Sequence, residues 1–296
     1  MELFFRQIGE GRPMVILHGL FGSSDNWLTI SKTIADLGFS VYLVDQRNHG
    51  RSPHLDTHTY PELADDLHEF LQQQRIDNPI LVGHSMGGKT VMQYAMQYPD
   101  GFSALVVVDI APKSYPVHHT DILKGLKAVP LATLKSRQEA DTILSRYEPS
   151  LGVRQFLLKN LYRSDEGGFA WRLNLPVLDR DIEIIGDDLQ HTQVIAKPTL
   201  FIRGGESRYV KDSDIPAILS LFPHAQIDTI EGASHWVQAE QPEAFVDSLT
   251  RFLDEALLIP TPSLKLPKVL FGASTRSGES VRRIFCGKYT YRTAID

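Results

Sequence analysis

The sequence predicts an α/β architecture: a mostly parallel, doubly wound sheet with a helical cap inserted between two of its strands. Three observations carry this. Short β-branched, apolar runs alternate with longer helical patterns along the chain. Most of those runs are continuously apolar, as parallel strands covered on both faces must be. One long stretch, residues 112–196, breaks the alternation and holds helical patterns without a strong strand run.

The elements follow in chain order. Strands are predicted at residues 14–17, 41–44, 80–82, 104–108, 199–202 and 226–230, each a short run rich in Val, Ile or Leu. Helices are predicted between and after them at residues 26–37, 60–74, 87–98, 213–221 and 242–257. Ser24 or Asp25 is placed to cap the first helix. Pro61 and Pro242 suit first turns, where a missing N–H leaves no bond unmade. Inside the insertion, helical patterns cover residues 121–129, 138–146 and 153–161. The expected organisation is a core of residues 1–111 and 197–258, a cap of residues 112–196, and a tail of residues 259–296. The tail is rich in Pro, Ser, Thr and Gly, then basic, with seven Lys/Arg against two acidic residues. That shift in composition reads as a weakly packed appendage. No repeat of fixed period is present.

Composition narrows the function classes. Of 296 residues, 42% are hydrophobic and 22% charged, too apolar for a disordered chain. No stretch approaches the roughly 20 apolar residues of a spanning helix, and the first residues lack the charged and apolar regions of a signal peptide. A cytoplasmic protein without membrane attachment is expected. The net charge of −6 argues against nucleic acid as a partner. One cysteine, Cys286, excludes an internal disulfide and a cysteine-based zinc cage.

The strongest chemical signal is Gly83-His84-Ser85-Met86-Gly87, between a predicted strand and a predicted helix. A serine on so sharp a turn presents its hydroxyl at the carboxyl edge of the sheet, and side chains at Gly83 and Gly87 would strike backbone. The following helix aims its N-terminus at the site and favours developing negative charge. A hydroxyl needs a base to become a nucleophile. His235 follows the last strand, in a loop opening on the same sheet edge as Ser85, and is the candidate. His84 is expected to point away from the Ser85 hydroxyl, and His18 to brace the first loop. That loop, His18 to Gly22, supplies one oxyanion donor, Leu20 or alternatively Phe21; the N–H of Met86 supplies the other. The stretch from Asp45 to Ser52 reads as a structured loop near the pocket. For the acid, a carboxylate is expected near Ser207, where a serine stands instead. Glu206 lies one position off. Asp109 ends a strongly apolar strand, where a carboxylate is costly unless partnered, and a histidine N–H is such a partner. Asp109 is the assigned acid, Glu206 the alternative, and Ser207 a helper.

Together the stretches 18–23, 45–52, 83–89, 109–112, 155–159, 171–178, 204–207 and 232–237 resemble the α/β-hydrolase superfamily, over about residues 1–258. More narrowly they resemble YbfF-type bacterial esterases and related abhydrolase-domain proteins. The resemblance implies a serine carboxylesterase whose acid follows the sixth strand, matching Asp109, with a serine at the usual acid position, matching Ser207. It implies short acyl esters and acyl thioesters such as acyl-CoA as substrates; the expected enzyme cleaves short- to medium-chain acyl esters of small molecules and needs no metal or organic cofactor. Perhydrolase, carbon–carbon bond hydrolase and non-catalytic binding protein are the rival readings. The tail has no counterpart in the resemblance.

Overall fold

A computed structural model describes residues 1–257, apart from 118, 166 and 190–192, together with the paired two-residue strands Phe285–Cys286 and Tyr289–Thr290. The chain divides into two units, Met1–Leu258 and Ile259–Asp296. The expected tail therefore lies outside the described residues except for that short hairpin.

The first unit is built on seven strands. β1 (Phe5–Ile8), β2 (Arg12–Leu17), β3 (Phe39–Val44), β4 (Ile80–His84) and β5 (Ala104–Val108) come first. A short hairpin, β6 (Leu161–Arg163) and β7 (Phe169–Trp171), stands apart from the sheet; β8 (Thr199–Gly204) and β9 (Ala225–Ile230) complete it. The order is β1-β3-β2-β4-β5-β8-β9, parallel except for β1, which runs antiparallel to β3 with Phe5 opposite Val44. The helices α1 (Leu28–Asp36), α2 (Tyr60–Gln74) and α3 (Met86–Gln97) precede β5, and α9 (Ile215–Leu221), α10 (Val237–Glu240) and α11 (Pro242–Leu257) follow β8. Between β5 and β8 lie α4 (Thr120–Ala128), α5 (Arg137–Leu144), α6 (Leu151–Leu158), α7 (Leu175–Arg180) and α8 (Ile182–Gly186).

The period-2 alternation of a strand sends neighbours to opposite faces. On β2, Val15 and Leu17 join a core with Leu67 and Phe70 of α2 and Val91 of α3. Met14 and Ile16 join a second core with Ile30 and Ile34 of α1 and Phe245 and Phe252 of α11. Both faces are thus covered, which is why the central strands are apolar throughout. Each fully buried Val, Ile or Leu contributes about 1.5–3 kcal/mol.

Some boundaries differ from expectation. The first helix opens as a 3-10 turn, Ser24–Asn26, because the Asn26 side chain accepts from the Ser23 N–H at 2.7 Å. Residues 212–214 do the same before α9. The insertion holds a hairpin that the sequence did not announce, three residues a side. Among the described residues, no helix is long and apolar enough to cross a membrane.

Candidate active site

The turn between β4 and α3 is as tight as its glycines suggest. A Cβ at Gly83 would lie 2.1 Å from the Gly87 carbonyl oxygen, and one at Gly87 would lie 2.5 Å from that of Leu17. Ser85 sits at φ 53°, in the left-handed region that non-glycine residues avoid, and its N–H donates to Val108 O at 2.9 Å. Strain of this kind persists only where the surroundings impose it. The result lifts the hydroxyl above the end of the sheet, with the unpaired first-turn N–H groups of α3 beneath it.

His235 reaches this hydroxyl from the loop after β9. Its Nε2 lies 3.0 Å from Ser85 Oγ, and its Nδ1 lies 2.7 Å from Asp109 Oδ2. Asp109, directly after β5, has no exposed surface. Its Oδ1 accepts from the Gly204 N–H at 3.1 Å, and its Oδ2 also accepts from the Ser207 hydroxyl at 2.5 Å. A buried carboxylate with that many donors is compensated for its lost hydration. Glu206 is exposed, and its backbone N–H donates to Ala233 O at 2.9 Å. The structure brings Ser85, His235, Asp109 and Ser207 together and leaves Glu206 outside.

Leu20 and Met86 both line space next to Ser85. Phe21, the alternative donor, already gives its N–H to His49 Nε2 at 3.2 Å. Its carbonyl accepts from Asn160 Nδ2 at 2.7 Å, which ties this loop to the insertion. His18 braces the loop from below. Its Nε2 accepts from the Gln46 N–H, so Nδ1 carries the proton and donates to Gly19 O at 2.9 Å. The loop from Asp45 to Ser52 is structural. Asp45 accepts from the N–H groups of Ser24 and Arg51, while Arg47 pairs with Asp66 at 2.6 and 2.9 Å.

Several contacts were not anticipated. The Tyr209 ring stacks on His235 with centroids 3.9 Å apart and planes 16° from parallel. His84 Nε2 donates to His235 O at 2.8 Å, holding His235 through its backbone. Glu240 of α10 accepts from the Ser234 N–H and hydroxyl at 2.5 and 2.6 Å. Burial keeps His84 neutral, pushed down to about 3, and does the same to His58. It also lowers Lys89, despite Asp188 and Asp187 nearby, to about 8.

A cavity of about 750 Å³ opens over Ser85, walled by His235, Trp236, Trp27 and, from the insertion, Phe156 and Leu157. Its size suits a small organic substrate. A serine hydroxyl, an imidazole and a buried carboxylate in hydrogen-bonded series beside such a cavity have a geometry capable of nucleophilic acyl transfer.

Comparison with known proteins gives concordant matches. A family model described as alpha/beta hydrolase fold matches residues 12–242. The chain is 42% identical over 247 residues to the mouse (Mus musculus) sn-1-specific diacylglycerol lipase ABHD11, covering 81% of this chain and 80% of that protein. It is 38% identical over 245 residues to Esterase YbfF of Escherichia coli strain K12, covering 82% and 93% respectively. Among solved structures, a marine microorganism esterase matches with a TM-score of 0.83 and 43% identity, over 85% of this chain and 99% of that one.

Proposed function

The chain belongs to the alpha/beta hydrolase fold family, and from that premise we propose that it is a serine carboxylesterase, cleaving short- to medium-chain acyl esters, and acyl thioesters such as acyl-CoA, through an acyl-enzyme on Ser85. The observation that carries the reading is the hydrogen-bonded series from Ser85 Oγ through His235 to Asp109, at 3.0 and 2.7 Å. The names of its esterase and lipase relatives support the carboxylic-ester class.

In this reading the ionised Asp109 accepts a hydrogen bond from His235 Nδ1–H, which keeps the proton on Nδ1 and leaves Nε2 free to take the proton of Ser85. The serine oxygen attacks the acyl carbonyl carbon. The N–H groups of Leu20 and Met86 hold the resulting oxyanion, with the α3 N-terminus adding favourable potential. His235 returns the proton to the leaving alkoxide or thiolate, and the acyl group remains on Ser85. Water then repeats the sequence and releases the acid. Ser207 holds Asp109 in place, and the insertion acts as a cap that closes the acyl pocket. No cofactor enters the scheme.

Replacing Ser85 by alanine tests it. Alanine fits the same turn, and loss of the nucleophile costs on the order of 10⁶ in kcat. The variant is expected to be folded, inactive on p-nitrophenyl acetate and unlabelled by a fluorophosphonate probe. Activity within tenfold of the parent would exclude an acyl-enzyme on this serine.

A further inference from the structure

Two cavities meet at Ser85. The larger one runs past His235, Trp236 and Phe156. The smaller, of about 40 Å³, is bounded by Met86, Lys89, Ile110, Tyr115, Ile182 and Ile185. Leu20, Ser85, His119 and Tyr209 border both, whereas His235 borders the larger one.

Ester cleavage dictates how a substrate must lie between two such spaces. A tetrahedral carbon bonded to Ser85 Oγ carries three further groups: the oxyanion, the leaving oxygen and the acyl chain. The oxyanion faces the N–H groups of Leu20 and Met86. The leaving oxygen has to receive a proton from His235 Nε2, so it lies on the His235 side and its alcohol extends into the larger cavity. The acyl chain takes the remaining direction. We infer that the smaller cavity is the acyl site, and that the preferred substrates join a short acyl group to a large apolar alcohol. This rests on the serine-esterase reading and adds to it which part of the substrate each cavity takes.

Size sets the preference. The smaller cavity has about 40 Å³ against about 750 Å³ for the larger, so a short acyl group such as acetyl to butanoyl is favoured there, and an octanoyl group meets the wall formed by Ile182 and Ile185. The far wall is held in place. Tyr60 OH of α2 donates to Ile185 O at 2.7 Å, and the Lys89 ammonium of α3 donates to Gly186 O at 3.1 Å and to Asp187 O. The Tyr115 N–H donates to Gly186 O at 2.8 Å. The end of α8 is therefore fastened by three donors, two of them from the core, and Ile182 and Ile185 cannot retreat without breaking those hydrogen bonds.

The test compares two ester series on the full-length protein. In one, the acyl group grows from acetyl to octanoyl on a fixed alcohol. In the other, acetate esters carry alcohols from methyl to octyl. The expected result is a fall in kcat/KM of at least tenfold between butanoate and octanoate, with the alcohol series level or rising. Equal turnover of octanoate and butanoate, or rejection of octyl acetate, overturns the assignment. Ile185→Ala and Ile182→Ala are expected to raise the octanoate-to-acetate ratio of kcat/KM about tenfold. An unchanged ratio in an active variant again overturns it, and if neither variant folds the two series on the parent protein still decide. Should no ester be hydrolysed in a Ser85-dependent way, the serine-esterase reading itself falls, and this inference with it.

Discussion

Asp109 is buried at the end of an apolar strand and holds the His235 ring, the Gly204 N–H and the Ser207 hydroxyl at once. Exchanging it for asparagine keeps the shape but offers the imidazole a donor in place of an acceptor. Asp109→Asn is expected to lower kcat by up to roughly 10⁴ through the wrong ring tautomer. Ser207→Ala is expected to cost around tenfold, since one supporting hydrogen bond is worth about 1 kcal/mol. Glu206→Gln, on an exposed side chain, should leave kcat unchanged. Steady-state rates of the three variants give the order, and an inverted order would move the acid to the loop after β8. Ser85 and Asp109 were legible in the sequence because each directly follows a strand with a residue type that is costly or idle there, and His235 because it lies in the loop after the last strand, on the same edge of the sheet. Tyr209 and His84 were not. An aromatic ring in a polar loop and a histidine beside the nucleophile carry no pattern, and only the folded chain lays one on the imidazole and turns the other to its carbonyl.

The elements that showed in the sequence are those with one unambiguous physical demand. The central strands are apolar because both of their faces are covered, so their runs stand out. β1 is an edge strand with residues of mixed polarity, and the β6–β7 hairpin has three residues a side, too few for a period to register. The β4–α3 turn is the most constrained connection, and its demand is steric. Gly83→Ala would press a methyl group to 2.1 Å from the Gly87 carbonyl oxygen, a backbone atom with nowhere to move. The expected outcome is a loss of a few kcal/mol of stability, with activity lost in whatever remains soluble. Thermal melting of the purified variant checks this, and a parent-like Tm would show that the turn has slack it does not display.

For the whole molecule, buried histidines set a limit on the acid side. His58 and His84 are pushed down to about 3 by burial, and burial also lowers His18 and His49. The unfolded chain titrates such rings near 6.5. Between pH 6.5 and about 3 it binds protons that the folded protein refuses, so their contribution is full above 6.5 and is lost as the pH falls. Tm is therefore expected to drop steeply below about pH 6, before most carboxylates protonate. Melting curves from pH 8 to 4 measure it, and a level Tm down to pH 5 would count against the neutral histidines. The layout of the chain has another consequence, one of timing. Ser85 and Asp109 emerge from the ribosome with the first five strands, but His235 lies 150 residues beyond the serine, after the whole insertion and the last strand. At 5–20 residues per second, synthesis takes roughly 8–30 seconds to cover that distance. Throughout that interval the nascent polypeptide carries Ser85 without the imidazole that the proposed reaction requires, so in that reading the site stays incomplete until residue 235 has been added.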